Sequence, residues 1–260
     1  CFWGIGATAG PYIMGLCLTQ GLRWNAGYQV IGFIQIVLVI CLIFSLPLWK
    51  TKSNTSETSE KKSQRVSLKQ AIQLPGAKPI LIAFFCYCAL ENTAGLWASS
   101  YLVLFQGTDP ETAAKWVALF YLGITAGRFA CGFITNKLGD KKMVRYGQMV
   151  ALAGTFFLLI PYKYFIPAGL VLVGLGCAPI YPSLLHETPE NFGAENSQSI
   201  MGLQMASAYV GITFMPPVFG FLAEHINVRL YPYYLMFLVI LMFIMVEMMN
   251  RMRFRKMKST

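Results

Sequence analysis

Eight stretches of about 20 mostly apolar residues follow one another along this chain, and they constrain its fold more than any other feature. About 20 such residues are needed to cross the hydrocarbon of a bilayer. Only helices and closed barrels satisfy every backbone hydrogen bond there, and the continuous apolarity excludes the alternating pattern of barrel strands. We therefore predict an all-α membrane protein, with spans at 2–18, 28–49, 79–105, 116–137, 143–162, 165–185, 200–223 and 231–250.

The charge of the chain fits a membrane protein better than a nucleic-acid-binding one. Only 12% of the 260 residues are charged and 56% are hydrophobic, whereas about a quarter of a soluble domain is charged. The net charge of +10 is concentrated in segments between the spans, where basic residues determine topology. The partners we expect are therefore the lipid bilayer and a solute, and no nucleic acid.

Residues for catalysis or metal binding are sparse. The seven cysteines lie in or beside apolar spans without a metal-binding spacing, so reduced, packed thiols are expected. The two histidines, His186 and His225, lie at span ends and are interpreted as solvated loop residues. No metalloprotease, hydrolase or nucleotide-binding motif occurs. We predict no enzyme, no catalytic residue, no cofactor and no metal.

The distribution of basic residues predicts how the chain is oriented. Sixteen Lys and Arg residues fall in the segments 50–78, 137–145 and 251–260, which share one side of the membrane if the spans alternate, and four fall on the other side. The richer side is cytoplasmic. Residues 50–78 are rich in Ser, Thr and Lys and are predicted to form a cytoplasmic linker, with a short interfacial helix within 69–79.

The segment 127–148, GRFACGFITNKLGDKKMVRYGQ, contains the motif that identifies a family. It resembles the loop signature of the major facilitator superfamily, which usually reads G-x-x-x-D-R-x-G-R-R. Glycine at the first position lets helix backbones approach closely, the second glycine permits a tight turn, and the bases hold the loop in the cytoplasm. The equivalent positions, expected to act in gating, are Gly132, Asn136, Lys137, Gly139 and Lys141. The residue differs from the family pattern at Asn136, where Asp is usual, and at Asp140, where a base is usual.

The resemblance implies an architecture of six plus six helices joined by a cytoplasmic linker. On that pattern, residues 1–49 are the last two helices of the N-terminal bundle and 50–78 are the linker. Residues 79–250 are then the six-helix C-terminal bundle, and 251–260 are a basic cytoplasmic tail. Because the chain begins at Cys1 with an apolar span, we interpret it as part of a longer protein whose first four helices are missing. The complete protein is expected to be a monomer in the plasma membrane.

The first span carries a glycine pattern, Gly6-x-x-x-Gly10-Pro11-x-x-x-Gly15. It resembles a fifth-helix motif associated with antiporters of the same superfamily. The alternative interpretation is close packing against a neighbouring helix, which small residues on one face also permit.

Glu91 is the strongest candidate for a functional residue. It lies near the middle of the span 79–105, about 18 Å from the cytoplasmic end at roughly 1.5 Å per residue. Acids at that depth are expected to be paired, or to face a water-filled cavity. Cys88, Asn92, Gly95 and Ser99 share its helix face. We predict hydrogen bonding to a solute or proton coupling, with a structural tie to another helix as the alternative.

The same span and two later ones supply further candidates. The run ENTAGLWASSY is similar to the seventh helix of fucose-permease-like sugar transporters, and APIYP resembles part of their tenth helix. For Arg128 we prefer a role in the cytoplasmic gate, with snorkelling or pairing with an acid as alternatives. The predicted solute contacts are Asn92, Trp97, Tyr101, Tyr181 and Gln204, for which helix packing or interhelical hydrogen bonds are the alternatives.

These features predict a secondary active transporter that moves a small polar solute, such as a sugar, by alternating access and with proton coupling. The alternative is a drug or metabolite efflux antiporter of the same superfamily. A non-transporting membrane scaffold subunit is a remote alternative, because a scaffold does not need an acid in the middle of a span.

Overall fold

The computed structural model describes residues 6, 9, 13, 17, 20, 21, 23, 25–49, 68–160, 162 and 164–258; for 48, 49, 68, 69, 136 and 253–258 it describes the backbone alone. Most of the predicted span 2–18, including Gly10, Pro11 and Gly15, lies outside the described residues, as do linker residues 50–67. Throughout the described part, regular structure is helical, which confirms the predicted all-α class.

The chain divides into two compact units, residues 2–63 and residues 64–260. In the first unit, helix α1 covers Ala26–Ser45 and is followed by a 3-10 turn at Leu46–Trp49, in agreement with the predicted span 28–49. The assignment of this unit to an N-terminal bundle stays a prediction.

Among its described residues, the second unit has six longer helices and three short ones. A π-helical turn, Ala223–Asn227, and a 3-10 turn, Val228–Leu230, connect its last two helices. The short helix predicted within 69–79 forms as α2, and its place at the membrane interface stays a prediction. The helices are α2 Leu68–Gln73, α3 Ala77–Leu104, α4 Pro110–Leu138, α5 Asp140–Leu159, α6 Phe165–Cys177, α7 Ile180–His186, α8 Thr188–Phe192, α9 Ala194–Leu222 and α10 Tyr231–Lys258.

Five helical stretches of the described chain are long and apolar enough to cross a membrane. Helix α5 does not belong to this set, because its first two turns carry Asp140, Lys141, Lys142 and Arg145 and it ends at Leu159. Its apolar part is therefore shorter than the predicted span 143–162. The five stretches are Ala26–Ser45, Ala77–Leu104, Pro110–Thr135, Phe165–His186 and Ala194–Met252, the last of which contains α9 and most of α10.

Helix α4 begins six residues before the predicted span, at Pro110. The Asp109 side chain accepts a hydrogen bond of 2.9 Å from the Thr112 backbone N–H, and proline follows at the first helical position. Both features stabilise a helix start. Hydrogen bonds from the Thr112 side chain and from its backbone N–H hold the pKa of the Asp109 carboxyl below its usual range.

Glycines set the packing around α6, which lies against both α4 and α5. A Cβ on Gly123 of α4 would lie 2.6 Å from the carbonyl oxygen of Val171, and one on Gly154 of α5 would lie 2.6 Å from the Val173 nitrogen. Any side chain at these positions would push the helices apart, so the absence of a Cβ allows the close approach. Helix α3 packs in turn against α9 and α10 and completes the bundle.

The structure confirms one predicted turn and leaves one packing prediction open. Gly132 is exposed, and a Cβ there would meet no described atom within 4 Å, so the predicted close approach at Gly132 stays a prediction. Gly127, earlier on the same helix, makes that approach against Ala178 and Leu175. Gly139 joins α4 to α5 with φ of 75° and ψ of 155°, which confirms the predicted glycine turn.

Gly174, Gly176, Pro179 and Pro182 predict a helix that breaks within the span 165–185, and the structure confirms the break. Regular helix is interrupted at Ala178 and Pro179, between α6 and α7, although both residues keep right-handed helical angles. Proline has no N–H, so Pro179 cannot donate to the Leu175 carbonyl, nor Pro182 to the Ala178 carbonyl. The helix therefore loses two hydrogen bonds within one turn.

Candidate functional site

Glu91 lies in a polar cluster at the middle of α3. Its side chain is buried, and its Oε2 accepts a hydrogen bond from the hydroxyl of Tyr87, one turn earlier on the same helix. On the neighbouring helix α4, Nη2 of Arg128 lies 3.7 Å from Oε1 of Glu91. One carboxylate thus meets a hydroxyl donor from its own helix and a guanidinium from another.

The local sequence explains how these three side chains meet. Residues four positions apart on a helix are neighbours on its surface, which brings the Tyr87 hydroxyl to Glu91. Arg128 directly follows Gly127, where the absence of a side chain lets α4 lie against Leu175 and Ala178. The register of α4 in the bundle therefore places the Arg128 guanidinium beside α3.

Tyr181, predicted as a ligand contact, joins this group from α7. Its ring centroid lies 5.8 Å from that of Tyr87 and 5.5 Å from that of Phe84, and its hydroxyl lies 2.8 Å from the sulfur of Met205. Tyr181 is half-buried. We refer to Tyr87, Glu91, Arg128 and Tyr181 as the central polar cluster; it combines one acid, one base and two phenols.

The electrostatics of the cluster depend on the ion pair. The Glu91 and Arg128 side chains are 10% and 19% exposed, so both charges are largely removed from water. A buried charge without a partner is strongly unfavourable, whereas an opposite pair lowers that penalty. The separation of 3.7 Å is longer than a direct hydrogen bond, so the pair can separate without breaking a tight contact.

Two predicted solute contacts on α3 are engaged with other helices instead. Trp97 donates from Nε1 to the carbonyl oxygen of Pro216 on α9 at 3.0 Å, and its ring packs edge-on against Phe219. Tyr101 is buried, and its hydroxyl donates to the carbonyl oxygen of Leu158 on α5 at 3.0 Å. These contacts fit the packing alternative for both residues, and a solute contact at either stays a prediction.

Asn92 and Gln204 also have partners within the protein. Asn92 donates from Nδ2 to the carbonyl oxygen of Cys88 at 3.0 Å, one turn back on α3. Gln204 on α9 is fully buried, and its Oε1 accepts a hydrogen bond of 3.1 Å from the Thr188 hydroxyl. The geometry of Gln204 matches the interhelical hydrogen bond expected as its alternative role.

Two residues of the signature segment, both in the first two turns of α5, form further links to other helices. Asp140 Oδ2 lies 2.7 Å from Nδ1 of His186, the last residue of α7. Arg145 donates from Nε and Nη2 to Oε1 of Glu247 on α10, at 2.9 and 2.7 Å. His186, expected to be solvated, is exposed and yet bound to the loop.

The other predicted gating residues give little contact evidence. Lys137 is exposed and Lys141 is half-exposed, while the side chain of Asn136 lies outside the described residues. Gly139 makes the turn itself, and Arg128 lies in the central polar cluster. Gating by these residues stays a prediction.

Sequence reasoning missed Tyr87 as part of the site. The only signal was its position four residues before Glu91, within an otherwise apolar run. It also missed Tyr121, whose phenol end lies against Gly95 on the face shared with Glu91. For metals, no group of three or more His, Cys, Asp or Glu side chains in the described part of the chain could hold an ion.

Three comparisons extend these observations. A family model described as Major Facilitator Superfamily matches residues 105–256. The chain is 24% identical over 151 residues to the glucose/galactose transporter of Brucella abortus, covering 57% of this chain and 36% of that protein. It is also 24% identical over 149 residues to the proton-coupled antiporter flippase LtaA of Staphylococcus saprophyticus, covering 55% of this chain and 37% of that protein.

A solved structure shows the same fold. The crystal structure of the E. coli fucose:proton symporter FucP matches with a TM-score of 0.71 and 17% sequence identity, over 94% of this chain and 65% of that chain. The chain spans little more than a third of the length of the two curated relatives. The fold of this chain is therefore shared with part of a longer protein.

Proposed function

The chain belongs to the Major Facilitator Superfamily, and from that premise we propose that it works as a proton-coupled secondary transporter of a small polar solute. Membership places this multi-pass membrane protein among transporters and not among enzymes. The proposed location is the plasma membrane, with the linker and the carboxyl terminus in the cytoplasm and the complete protein a monomer.

The observation that carries the proposal is Glu91, a carboxylate in the middle of an apolar helix with Tyr87 and Arg128 as its partners. Ionisable groups at this depth commonly mark substrate or proton pathways. Glu91 can exist as a carboxylate paired with Arg128 or as a neutral acid. The two states differ by one charge. A proton-coupling site needs two such states, one with and one without the proton.

The position of the pair suggests how protonation affects the helices. Glu91 belongs to α3 and Arg128 to α4, so the ion pair attracts these two helices to each other. A proton on Glu91 removes that attraction and lets the helices adopt another arrangement. Alternating access requires such a change, in which the site opens to one side of the membrane at a time.

The nature of the solute is inferred from the surroundings of the pair. Tyr87 and Tyr181 place phenol rings and hydroxyl groups beside Glu91, and both can contact a hydroxylated solute. One relative is named as a glucose/galactose transporter, and the structural neighbour is a fucose:proton symporter. Sugars and sugar derivatives are therefore the first class to examine.

An antiporter is the second candidate. The proton-coupled antiporter flippase is as similar to this chain as the sugar transporter is, at 24% identity. The glycine pattern from Gly6 to Gly15 also resembles an antiporter motif. An antiporter would use the same protonation of Glu91, but the solute would move against the proton.

The direction of coupling separates the two candidates. The complete gene product is reconstituted into liposomes, and uptake of labelled glucose, galactose and fucose and of the matching sugar acids is measured with acidic medium outside or inside. Symport predicts accumulation when the outside is acidic, and antiport predicts it when the inside is acidic. Equal uptake under both gradients and without one would contradict proton coupling in either form.

A further inference from the structure

A polar cavity lies at the end of the bundle opposite the signature loop, where α3 ends and where α4 and α6 begin. Its volume is about 530 Å³, within the range of roughly 300–1,000 Å³ that is usual for small-molecule sites. The end of α3 is about 20 Å from Glu91 at a helical rise of roughly 1.5 Å per residue, so this α3–α4 cavity is separate from the central polar cluster. Its lining includes Gln106, Thr108, Asp109, Thr112, Trp116 and Ile166.

Trp116 contributes an aromatic face and an unused hydrogen-bond donor to the α3–α4 cavity. Its ring is half-buried and packs against the core, whereas its indole N–H donates to none of the described groups and is accessible. Trp97, by contrast, donates its N–H to the Pro216 carbonyl. Because the N–H of a buried indole usually has a partner, Trp116 offers both a flat apolar surface and a donor to a ligand.

Three polar side chains of the α3–α4 connection line the same cavity. Gln106 donates from Nε2 to the Tyr101 hydroxyl at 3.2 Å, which orients the amide, and its oxygen has no partner in the described part of the chain. The Thr108 hydroxyl likewise bonds to no described group. Asp109 Oδ1 accepts a hydrogen bond from the Thr112 N–H, and a carboxylate can accept several more. The cavity therefore offers donors and acceptors to several hydroxyl groups at once.

The charge of the cavity distinguishes between classes of ligand. Among the described residues that line it, Asp109 alone is charged, so an anionic solute is disfavoured. Asp109 also caps α4, and the positive end of the helix dipole compensates its carboxylate. The carboxylate therefore has less need of a cation, and its remaining lone pairs suit the hydroxyl groups of a neutral solute.

We propose that the α3–α4 cavity is a second binding site for a neutral, hydroxylated solute of the sugar type, at which the solute docks on its way to the central polar cluster. The Trp116 ring packs against the C–H groups of the sugar, and Gln106, Thr108 and Asp109 bond its hydroxyl groups. In the proposed orientation, the cavity opens on the side opposite the cytoplasm. This inference rests on the proposed transport function, from which it takes the class of cargo.

The test observes Trp116 directly, in the complete gene product labelled with fluorotryptophan. The fluorine resonance of Trp116 is identified by its loss in Trp116→Phe. Titration with glucose, galactose and fucose over the millimolar range should move this resonance saturably for at least one sugar. The corresponding sugar acid should bind at least fivefold more weakly, because the Asp109 carboxylate repels it.

Thr108→Val is the decisive variant, since it removes a hydroxyl that no described group of the protein uses. We expect it to weaken sugar binding at Trp116 at least fivefold and to leave the melting temperature unchanged. The KM for transport should rise at least threefold, with kcat within twofold of wild type. The matched control is Thr135→Val, near the opposite end of α4, which should keep wild-type binding and KM.

The possible failures are distinguishable. If no sugar moves the Trp116 resonance although sugars are transported, the second site is overturned and the proposed function stands. Wild-type binding or a wild-type KM in Thr108→Val would also overturn the docking site. Saturable movement by choline and not by any sugar would overturn it in favour of a cation site. Sugar binding at Trp116 without proton-driven transport would support the site and count against the proposed function.

Discussion

Nη2 of Arg128 lies 3.7 Å from Oε1 of Glu91, although the two residues belong to different helices. This relationship connects two residues that the sequence assigns to separate tasks, proton coupling for Glu91 and gating for Arg128. If both charges belong to one pair, protonation of the acid and movement of α4 relative to α3 are parts of the same event. The predictions below test that connection and the packing that supports it.

The ion pair should be visible as coupling in stability measurements. Arg128→Gln leaves the Glu91 carboxylate without its cation, and breaking a buried pair is destabilising by about 3 kcal/mol or more. We expect a clear loss of thermal stability in detergent for this variant. The double variant Glu91→Gln/Arg128→Gln removes both charges and should recover at least half of the loss.

The control for this double-mutant cycle is the exposed pair Lys115 and Glu111, whose side chains are 70% and 80% exposed. Exposed pairs of this kind contribute little to stability, so Lys115→Gln should have little effect. Additive losses in the Glu91 and Arg128 variants, with no recovery in the double variant, would show that the two charges do not interact.

The close packing of α6 on α4 should make Gly174 intolerant of a side chain. A Cβ there would collide with the carbonyl oxygen of Phe120 and approach the Ile124 nitrogen to 3.1 Å. Overpacking of this kind typically destabilises by about 1–3 kcal/mol. We expect Gly174→Ala to lower the melting temperature by at least about 3 °C, at roughly 2–4 °C per kcal/mol.

Gly202 provides the matched control, since it is also helical but a Cβ there would meet nothing within 4 Å. Gly202→Ala should be neutral or stabilising, because glycine is a poorer helix former than alanine. If Gly174→Ala and Gly202→Ala gave the same melting temperature, the close contact of α4 with α6 would be wrong.

The turn between α4 and α5 should also depend on its glycine. Gly139 has φ of 75° and ψ of 155°, a region that residues with a side chain rarely adopt, at a cost of about 1–3 kcal/mol. Gly139→Ala should therefore lower the melting temperature, although there is open space around the residue. A melting temperature equal to that of Gly202→Ala would show that the turn is not strained by a side chain.

A substitution of Trp97 distinguishes a packing role of this residue from a role in solute binding. Its indole N–H donates to the Pro216 carbonyl, so Trp97→Phe should cost about 1 kcal/mol of stability through the lost hydrogen bond. If packing is its main role, the KM for the transported solute should stay within twofold of wild type. A tenfold rise in KM without a loss of stability would favour the predicted solute contact instead.

Positions along the helices could be predicted from the sequence, and contacts between helices could not. The depth of Glu91 follows from its place in an apolar run at a fixed rise per residue. Its partner Arg128 depends on how α4 is rotated in the bundle, which is set by close approaches at Gly123 and Gly174. The family's glycine, Gly132, is exposed in this structure, so the motif did not reveal which glycines make the contacts.

Turn and break signals were more informative than helix faces. The prolines at 179 and 182 predicted the interruption after α6, and Gly139 predicted the turn after α4, because both act through the local backbone. The Asp109–Pro110 start of α4 was missed, since the prediction followed apolarity and not the cap. Trp97 and Tyr101 were predicted as solute contacts, but their hydrogen bonds go to other helices, which the sequence did not indicate.

The most direct test is simultaneous measurement of proton and solute flux in liposomes that contain wild-type protein, Glu91→Gln or the exposed-acid control Glu224→Gln. If Glu91 carries the transported proton, Glu91→Gln should lose solute accumulation driven by a pH gradient at least tenfold and lose the accompanying proton flux. Exchange of labelled for unlabelled solute should continue, and Glu224→Gln should match wild type. Undiminished uphill accumulation with proton flux in Glu91→Gln would contradict the central role of this carboxylate.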